Sequence, residues 1–211
     1  MTNPAFKNPQ HFTYRDYASW PENERWELID GVAYNMTPAP STLHQQILIR
    51  IGSQLLTALE GKLCQVFPAP FDVLLPEGDE ADDQLDTVIQ PDISVVCKPE
   101  KITPRGCRGA PDFIIEIASP STARKDQTVK MELYQKHGVR EYWILHPQDQ
   151  VLIMRVLDAT GMYGPTRVVE LKSKVSVSTL PDIEIELDDI GALCAAAAPP
   201  EPTDPPGTVR I

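Results

Sequence analysis

The chain has 211 residues, 42% of them hydrophobic, which is enough for one domain with a sizeable core. Its 19 basic and 30 acidic residues leave a net charge of -11, which argues against a protein that coats nucleic acid through bulk charge. No apolar run approaches the roughly 20 residues that span a bilayer, and the opening MTNPAFKNPQ has no apolar signal core, so a cytoplasmic location is expected.

Residues 1–24 read as an N-terminal arm, 25–190 as the folded domain and 191–211 as a tail. In RWELIDGVAYNM the Asp30-Gly31 pair stands between two apolar runs, the short-range signal of a tight hairpin. STLHQQILIRIGSQLLTALEG follows, with Leu48, Ile51, Leu55 and Leu59 at helical spacing, Thr42 and Gln45 placed as a capping box, and Gly61 as the stop. Strand candidates come next: Cys64 to Leu75, interrupted by Pro68 and Pro70; Val88 to Cys97; and Phe113 to Ala118. The last two are apolar on both faces, as strands covered on both sides tend to be.

A second helix is predicted from about Ser121 to His137, closed by Gly138, with another apolar strand, Glu141 to Leu145, close behind. Val151 to Leu157, Arg167 to Leu171 and Ile183 to Leu187 read as an antiparallel extension at the sheet edge. This order predicts an α/β fold with a mixed central sheet flanked by helices. From Gly191 to Ile211 the alanine- and proline-rich composition predicts a flexible tail.

Cys64, Cys97, Cys107 and Cys194 are widely spaced with no CxxC pair, so reduced thiols are expected and neither a zinc site nor a disulfide framework. Charge is unevenly distributed. PEGDEADDQLD carries Glu77, Asp79, Glu80, Asp82, Asp83 and Asp86 with no base, and reads as a solvated loop, whereas the stretch from Lys98 to Arg140 is locally +4.

The chemistry concentrates on two acids. In DFIIEIA, alternation places Asp112, Ile114, Glu116 and Ala118 on one face of the strand, so Glu116 stands among isoleucines. IQPDISVV puts Asp92 in the same situation one strand earlier. Like charges at short range repel and raise each other's pKa unless a cation lies between them. Oxygen ligands alone favour a hard ion, Mg²⁺ or Mn²⁺. Either acid could instead be satisfied by an arginine or by backbone amides. Lys130, followed at i+3 and i+4 by Leu133 and Tyr134, lies on the helix stripe that faces the sheet, although snorkelling to solvent is the plainer account of such a lysine. Glu27 in WELIDG is a further carboxylate, on a strand whose glutamate is commonly solvated.

WELIDG, STLHQ, PAPFDVLLPEG, QPDISVV, GAPDFIIEIASPST and KMELYQKHGVREYWIL together resemble the Uma-type putative restriction endonuclease family, a branch of the PD-(D/E)XK nuclease superfamily, over roughly Arg25 to Ile190. The resemblance implies a restriction-endonuclease-like fold with a metal site on the sheet. Asp92 matches the PD aspartate and Glu116 the following acid; these two, with Ile117, are the implied metal ligands. The lysine usually found two residues after the second acid is replaced here by Ala118, and Lys130 on the next helix matches the family's alternative position. Glu27 matches the family's ELIDG glutamate and joins the catalytic set, with His44 and Asp72 as secondary members.

The expected reaction is Mg²⁺- or Mn²⁺-assisted hydrolysis of a nucleic-acid phosphodiester, with DNA as the first candidate substrate. Arg105, Arg108, Arg124 and Lys125 are the candidate phosphate contacts, and a two-fold homodimer is compatible with cutting both strands. A module on the same fold that binds without hydrolysis is the alternative. Glycoside hydrolysis by the two acids ranks behind both, because only 7% of the chain is aromatic.

Overall fold

The computed structural model describes residues 11–21, 23–36 and 39–197. The chain opens with a single helical turn, α1 (Tyr14–Tyr17), and a hairpin of β1 (Trp26–Ile29) and β2 (Val32–Asn35). Asp30 and Gly31 turn that hairpin with φ of 47° and 75°, the left-handed backbone a two-residue turn requires. Helix α2 (Thr42–Leu59) begins one residue earlier in its capping than expected: Ser41, not Thr42, is the N-cap and accepts from the His44 amide. Its buried stripe is Ile47, Ile51, Leu55 and Leu59, with Leu48 at the margin.

The two proline-marked strand candidates each break in two, and the halves belong to different sheets. Cys64 to Leu75 becomes β3 (Gln65–Pro68) and β4 (Val73–Leu74); Val88 to Cys97 becomes β5 (Val88–Ile89) and β6 (Ile93–Val96). Proline cannot donate to a ladder, so Pro70 and Pro91 mark where pairing stops and the chain changes sheet. A short hairpin, β7 (Ile102–Thr103) and β8 (Gly106–Arg108), precedes the central strand β9 (Phe113–Ile117).

The second predicted helix is present as three joined pieces: α3 (Ala123–Lys125), a π-helical turn (Asp126–Lys130) and α4 (Met131–His137), stopped by Gly138 in left-handed backbone. Then come β10 (Glu141–His146), β11 (Val151–Val156), β12 (Arg167–Glu170), β13 (Lys174–Ser176), β14 (Glu184–Glu186) and helix α5 (Asp188–Ala197).

One six-stranded sheet has the order β12-β11-β10-β9-β6-β3; β9 and β10 are parallel and its other neighbours antiparallel. This is the mixed central sheet, with the expected antiparallel extension in β11 and β12. The other six-stranded sheet, β2-β1-β5-β4-β8-β7, is a second layer where one sheet was expected. The segment Ile183 to Leu187 is a second correction: its strand β14 pairs with β13 in a separate two-stranded sheet.

Helix α2 covers one face of the mixed sheet through Ile93, Val95, Phe113, Ile115 and Ile117. On the other face Ile114, Ala118, Tyr142 and Ile144 pack with Leu133 and Tyr134 of α4 and with Ile29, Val73 and Ile89 of the second sheet. A third cluster, Trp26, Leu28, Leu74 and Val88 with Tyr14, Tyr17 and Trp20, backs the second sheet, so part of the presumed N-terminal arm belongs to the packed domain.

The first residues of the presumed tail are helical instead. Gly191 to Ala197 continues α5, where Ile190, Gly191 and Cys194 are buried, and the expectation for residues 198–211 lies outside the described residues. Cys64 and Cys97 form a disulfide, against the expectation of reduced thiols; the antiparallel register of β3 and β6 pairs Gln65 with Val96 and so sets the flanking cysteines opposite each other. Cys107 and Cys194 are free and buried. The acidic loop is not merely solvated, since Arg108 pairs with Asp82, Arg15 with Asp83 and Lys136 with Glu77.

Candidate active site

The register of β6 against β9 pairs Ile93 with Ile115 and Ser94 with Ile114. Extending it by one position sets Asp92 opposite Glu116, on the side of the sheet that carries Ile114 and Ala118. Pro91 ends the ladder just before Asp92, so this acid stands at a strand end, 18% exposed, while Glu116 is only 4% exposed. The two sheet-changing crossings meet here: the Ala69 amide donates to the Asp92 carbonyl at 2.9 Å, and Gln90 Nε2 donates to Asp72 Oδ1 at 2.8 Å.

Lys130 is 4% exposed and does not snorkel. Its ammonium is 2.8 Å from Glu116 Oε1, 2.8 Å from Glu27 Oε1 and 4.0 Å from Asp126 Oδ1. Tyr134 donates to the same Glu116 oxygen at 2.7 Å. Glu27 is interior, 2% exposed, because β1 lies between β2 and β5 and is not an edge strand. Its second oxygen accepts from Lys125 at 2.6 Å, and Lys125 also lies 4.3 Å above the ring of Tyr34.

Lys125 and Lys130 reach one carboxylate because of the π-helical turn between them. In a regular α-helix, residues five apart point about 140° away from each other; the wider turn brings them towards one side. Such turns are rare and recur at functional sites.

The electrostatics follow from burial and from an excess of acids, with Glu27, Asp92, Glu116 and Asp126 facing the ammonium groups of Lys125 and Lys130. Burial alone would raise Glu27, yet Lys130 and Lys125 outweigh it and hold the carboxyl at about 2. Glu116 goes the other way. Burial, reinforced by Asp92, Asp126 and Glu27, outweighs Lys130 and pushes it up to about 8. Burial also raises Asp126, while Glu116, Glu27 and Asp126 overcome the burial of Lys130 and hold its ammonium firmly protonated.

A family model described as "Uma2: Putative restriction endonuclease" matches residues 14–188. The chain belongs to the Uma2 family. The match begins at the first helical turn, which again places part of the presumed arm inside the domain. A crystal structure described as a putative nuclease belonging to DUF820 from Anabaena variabilis ATCC 29413 superposes with a TM-score of 0.68 at 21% identity, over 87% of this chain and 99% of that one. That likeness establishes the fold. No curated protein matches the chain.

In this Uma2 chain Asp92, Glu116, Lys130 and Glu27 come together. Ile117 is adjacent, and its amide donates to Asp92 Oδ2 at 2.7 Å. His44 Nε2 meets the same oxygen at 3.1 Å, and Asp72 joins through Gln90, whose own amide donates to Glu27 Oε1 at 3.2 Å. Of the candidate phosphate contacts, Lys125 is a member of the site itself. Arg108 is committed to Asp82 and to the Glu80 carbonyl, whereas Arg105 and Arg124 are exposed.

Sequence reasoning missed Tyr134, Asp126, Gln90, Tyr17 and Arg25. Asp126 and Tyr134 share the lysine's helix and could have been found from i-4 and i+4 spacing around Lys130. Arg25, which donates to Gln90 Oε1, and Tyr17, which donates to Asp72, carry no such signal.

The donor set suits a hard cation in one respect. Among the described residues, the hydrogen bonds to Asp92 fall on Oδ2 and those to Glu116 on Oε1, leaving Asp92 Oδ1 and Glu116 Oε2 without a partner. Among the same residues no group of three or more His, Cys, Asp or Glu side chains is arranged to hold a metal ion. Asp92 and Glu116 would supply a cation with two carboxylates, and its remaining ligands would have to come from backbone carbonyl and water, as Mg²⁺ sites commonly allow.

Proposed function

We propose that this protein is a metal-dependent endonuclease that hydrolyses phosphodiester bonds of nucleic acid, DNA in the first instance, with Asp92 and Glu116 holding Mg²⁺ or Mn²⁺ beside the Ile117 carbonyl. The observation that carries this reading is the buried ammonium of Lys130, 2.8 Å from Glu116 in a cluster with more acids than bases. A hard divalent ion bound there would acidify a coordinated water and neutralise charge developing on phosphorus.

The chain's own groups have defined tasks in this reading. Burial and the neighbouring acids push the Glu116 carboxyl upward, so its ionised form is the one a bound cation would stabilise most. Glu27, held ionised by two ammonium groups, fixes Lys130 in place without needing a proton. Lys130, so anchored, keeps a positive charge at the acids where an attacking hydroxide or a phosphate oxygen would be stabilised. Tyr134 holds Glu116 Oε1, so that Oε2 would be the oxygen offered to a cation. Arg124, exposed one residue before Lys125, would contact a phosphate of the approaching strand.

One observation favours a second reading, a binding module without hydrolysis: the described residues offer no set of three ligating side chains. Incubating plasmid and single-stranded DNA with Mn²⁺ separates the two. Cleavage by the wild type that disappears in Asp92→Ala, Glu116→Ala and Lys130→Ala supports the nuclease. No cleavage of any DNA or RNA, with tight binding, supports the module. Cleavage that persists in all three variants rejects the site.

A further inference from the structure

Asp92 stands where β6 has not yet begun. Its carbonyl is tied to Ala69, but its side chain lies at the open end of the ladder. A carboxylate there can turn towards the buried lysine or towards solvent, and a usable ligand must do neither. The two groups that restrain it come from different elements. From β9 the Ile117 amide donates to Oδ2 at 2.7 Å, and from α2 His44 Nε2 meets the same atom at 3.1 Å.

The chemistry of that contact is settled by elimination. Oδ2 already accepts from an amide, and a carboxylate oxygen has nothing to donate, so the imidazole is the donor and carries its hydrogen on Nε2. Its other nitrogen, Nδ1, is buried with no hydrogen-bond partner among the described residues. The ring's side chain is 13% exposed at the start of a helix whose neighbouring Leu43 and Ile47 pack into the core. A leucine would serve packing better than a ring with an orphaned nitrogen. What the imidazole supplies that leucine cannot is one directed N–H, and it is spent on Asp92.

From this geometry we infer that His44 is a positioning residue for Asp92: it reaches across from the α2 layer, occupies Oδ2 together with the Ile117 amide, and thereby presents Oδ1 to the cation. The inference rests on the metal-site reading given above. The backbone amide alone fixes one direction; the imidazole adds a second and stops the carboxylate from swinging into the ion pairs of Lys130. Helix α2, held to the sheet by Ile47, Ile51, Leu55 and Leu59, serves as the rigid arm that delivers the ring, and Ser41 fixes its first turn by capping the His44 amide itself.

Calorimetric Mn²⁺ titration of the full chain, with circular dichroism as a check of folding, tests this without relying on activity. His44→Ala is expected to weaken Mn²⁺ binding about 10- to 100-fold, the usual effect of removing a group that orients a ligand. His44→Gln, whose amide nitrogen reaches the position of Nε2, is expected to recover most of the affinity. His44→Asn, whose amide stops near the position of Nδ1, is expected not to. Should His44→Ala fail to fold, the contrast between Gln and Asn still decides. Equal affinity in wild type, Gln and Asn variants overturns the inference while leaving the metal site standing. Absence of Mn²⁺ binding by the wild type overturns the metal site and the inference with it. Nitrogen couplings from His44 to bound Mn²⁺ in pulsed EPR would make the residue a ligand and overturn the positioning role.

Discussion

Lys130 Nζ stands as close to Glu27 on the first hairpin as to Glu116 on the central strand, 2.8 Å in each case. The lysine is therefore held by both sheets at once. Breaking a buried pair by removing one partner leaves an uncompensated charge and costs about 3–5 kcal/mol. Lys130→Met is expected to lose stability on this scale in urea unfolding. Adding Glu27→Gln to it should cost less than the single effects combined, because the two share a partner. Additive effects would mean that the lysine and the hairpin glutamate do not interact in solution.

Glu116 carries a pH signature. Its folded pKa, pushed up to about 8 by burial among other acids, lies above the ordinary 4.5. A carboxyl so raised favours folding below 4.5, and that contribution is lost as pH rises through 8. In the metal-free protein, Glu116→Gln should gain stability relative to wild type progressively across that window and hold a constant advantage above it. Glu27 has the opposite sign: its term is present above 4.5 and fades as pH falls towards 2. Thermal melts of wild type and Glu116→Gln at a series of pH values measure the difference directly, and parallel curves would refute the burial argument.

Arg124 and Arg108 should behave differently on nucleic acid. Arg124 is exposed beside the site, whereas Arg108 is paired with Asp82 and the Glu80 carbonyl. Arg124→Ala is expected to lower the slope of log affinity against log salt by up to about 0.9, the contribution of one phosphate contact on a duplex. Arg108→Ala should leave the slope unchanged and loosen the acidic loop, seen as faster amide exchange at Asp82 to Gln84. Fluorescence anisotropy at several salt concentrations reads the first effect.

Thiol accounting tests the β3–β6 pairing. Denatured without reductant, the chain is expected to expose Cys107 and Cys194 only; with reductant, Cys64 and Cys97 should react as well. Losing the crosslink is expected to lower stability by about 2–4 kcal/mol. Reaction of every cysteine without reductant would show the pair reduced.

Much of the site was legible because its strands are so apolar that an acid within them stands out. Asp92 and Glu116 stand out by alternation, whereas Lys130, for which snorkelling is the plainer account of its helical position, is singled out only by the family resemblance. Glu27 was underweighted, since a hairpin beginning the domain looks like an edge, and only the return of β5 alongside β1 makes it interior. Lys125 reads from the sequence only as a candidate phosphate contact; no residue pattern announces the π-helical turn that brings it to the carboxylate shared with Lys130. The second sheet escaped for a related reason: a proline in a strand signals a break, but not that the chain resumes in another layer. The Cys64–Cys97 link depends on cross-strand register, which spacing along the chain does not encode.

The paired crossings at Ala69 to Asp72 and Gln90 to Asp92 have a mechanical meaning. They are the seam along which the two layers are stitched, and the carboxylate cluster sits on the stitches. Removing the Lys130 ammonium would therefore also loosen the joint, and a ligand that settled there would tighten it. Selection for a sturdy molecule and selection for a working one would act on the same few side chains.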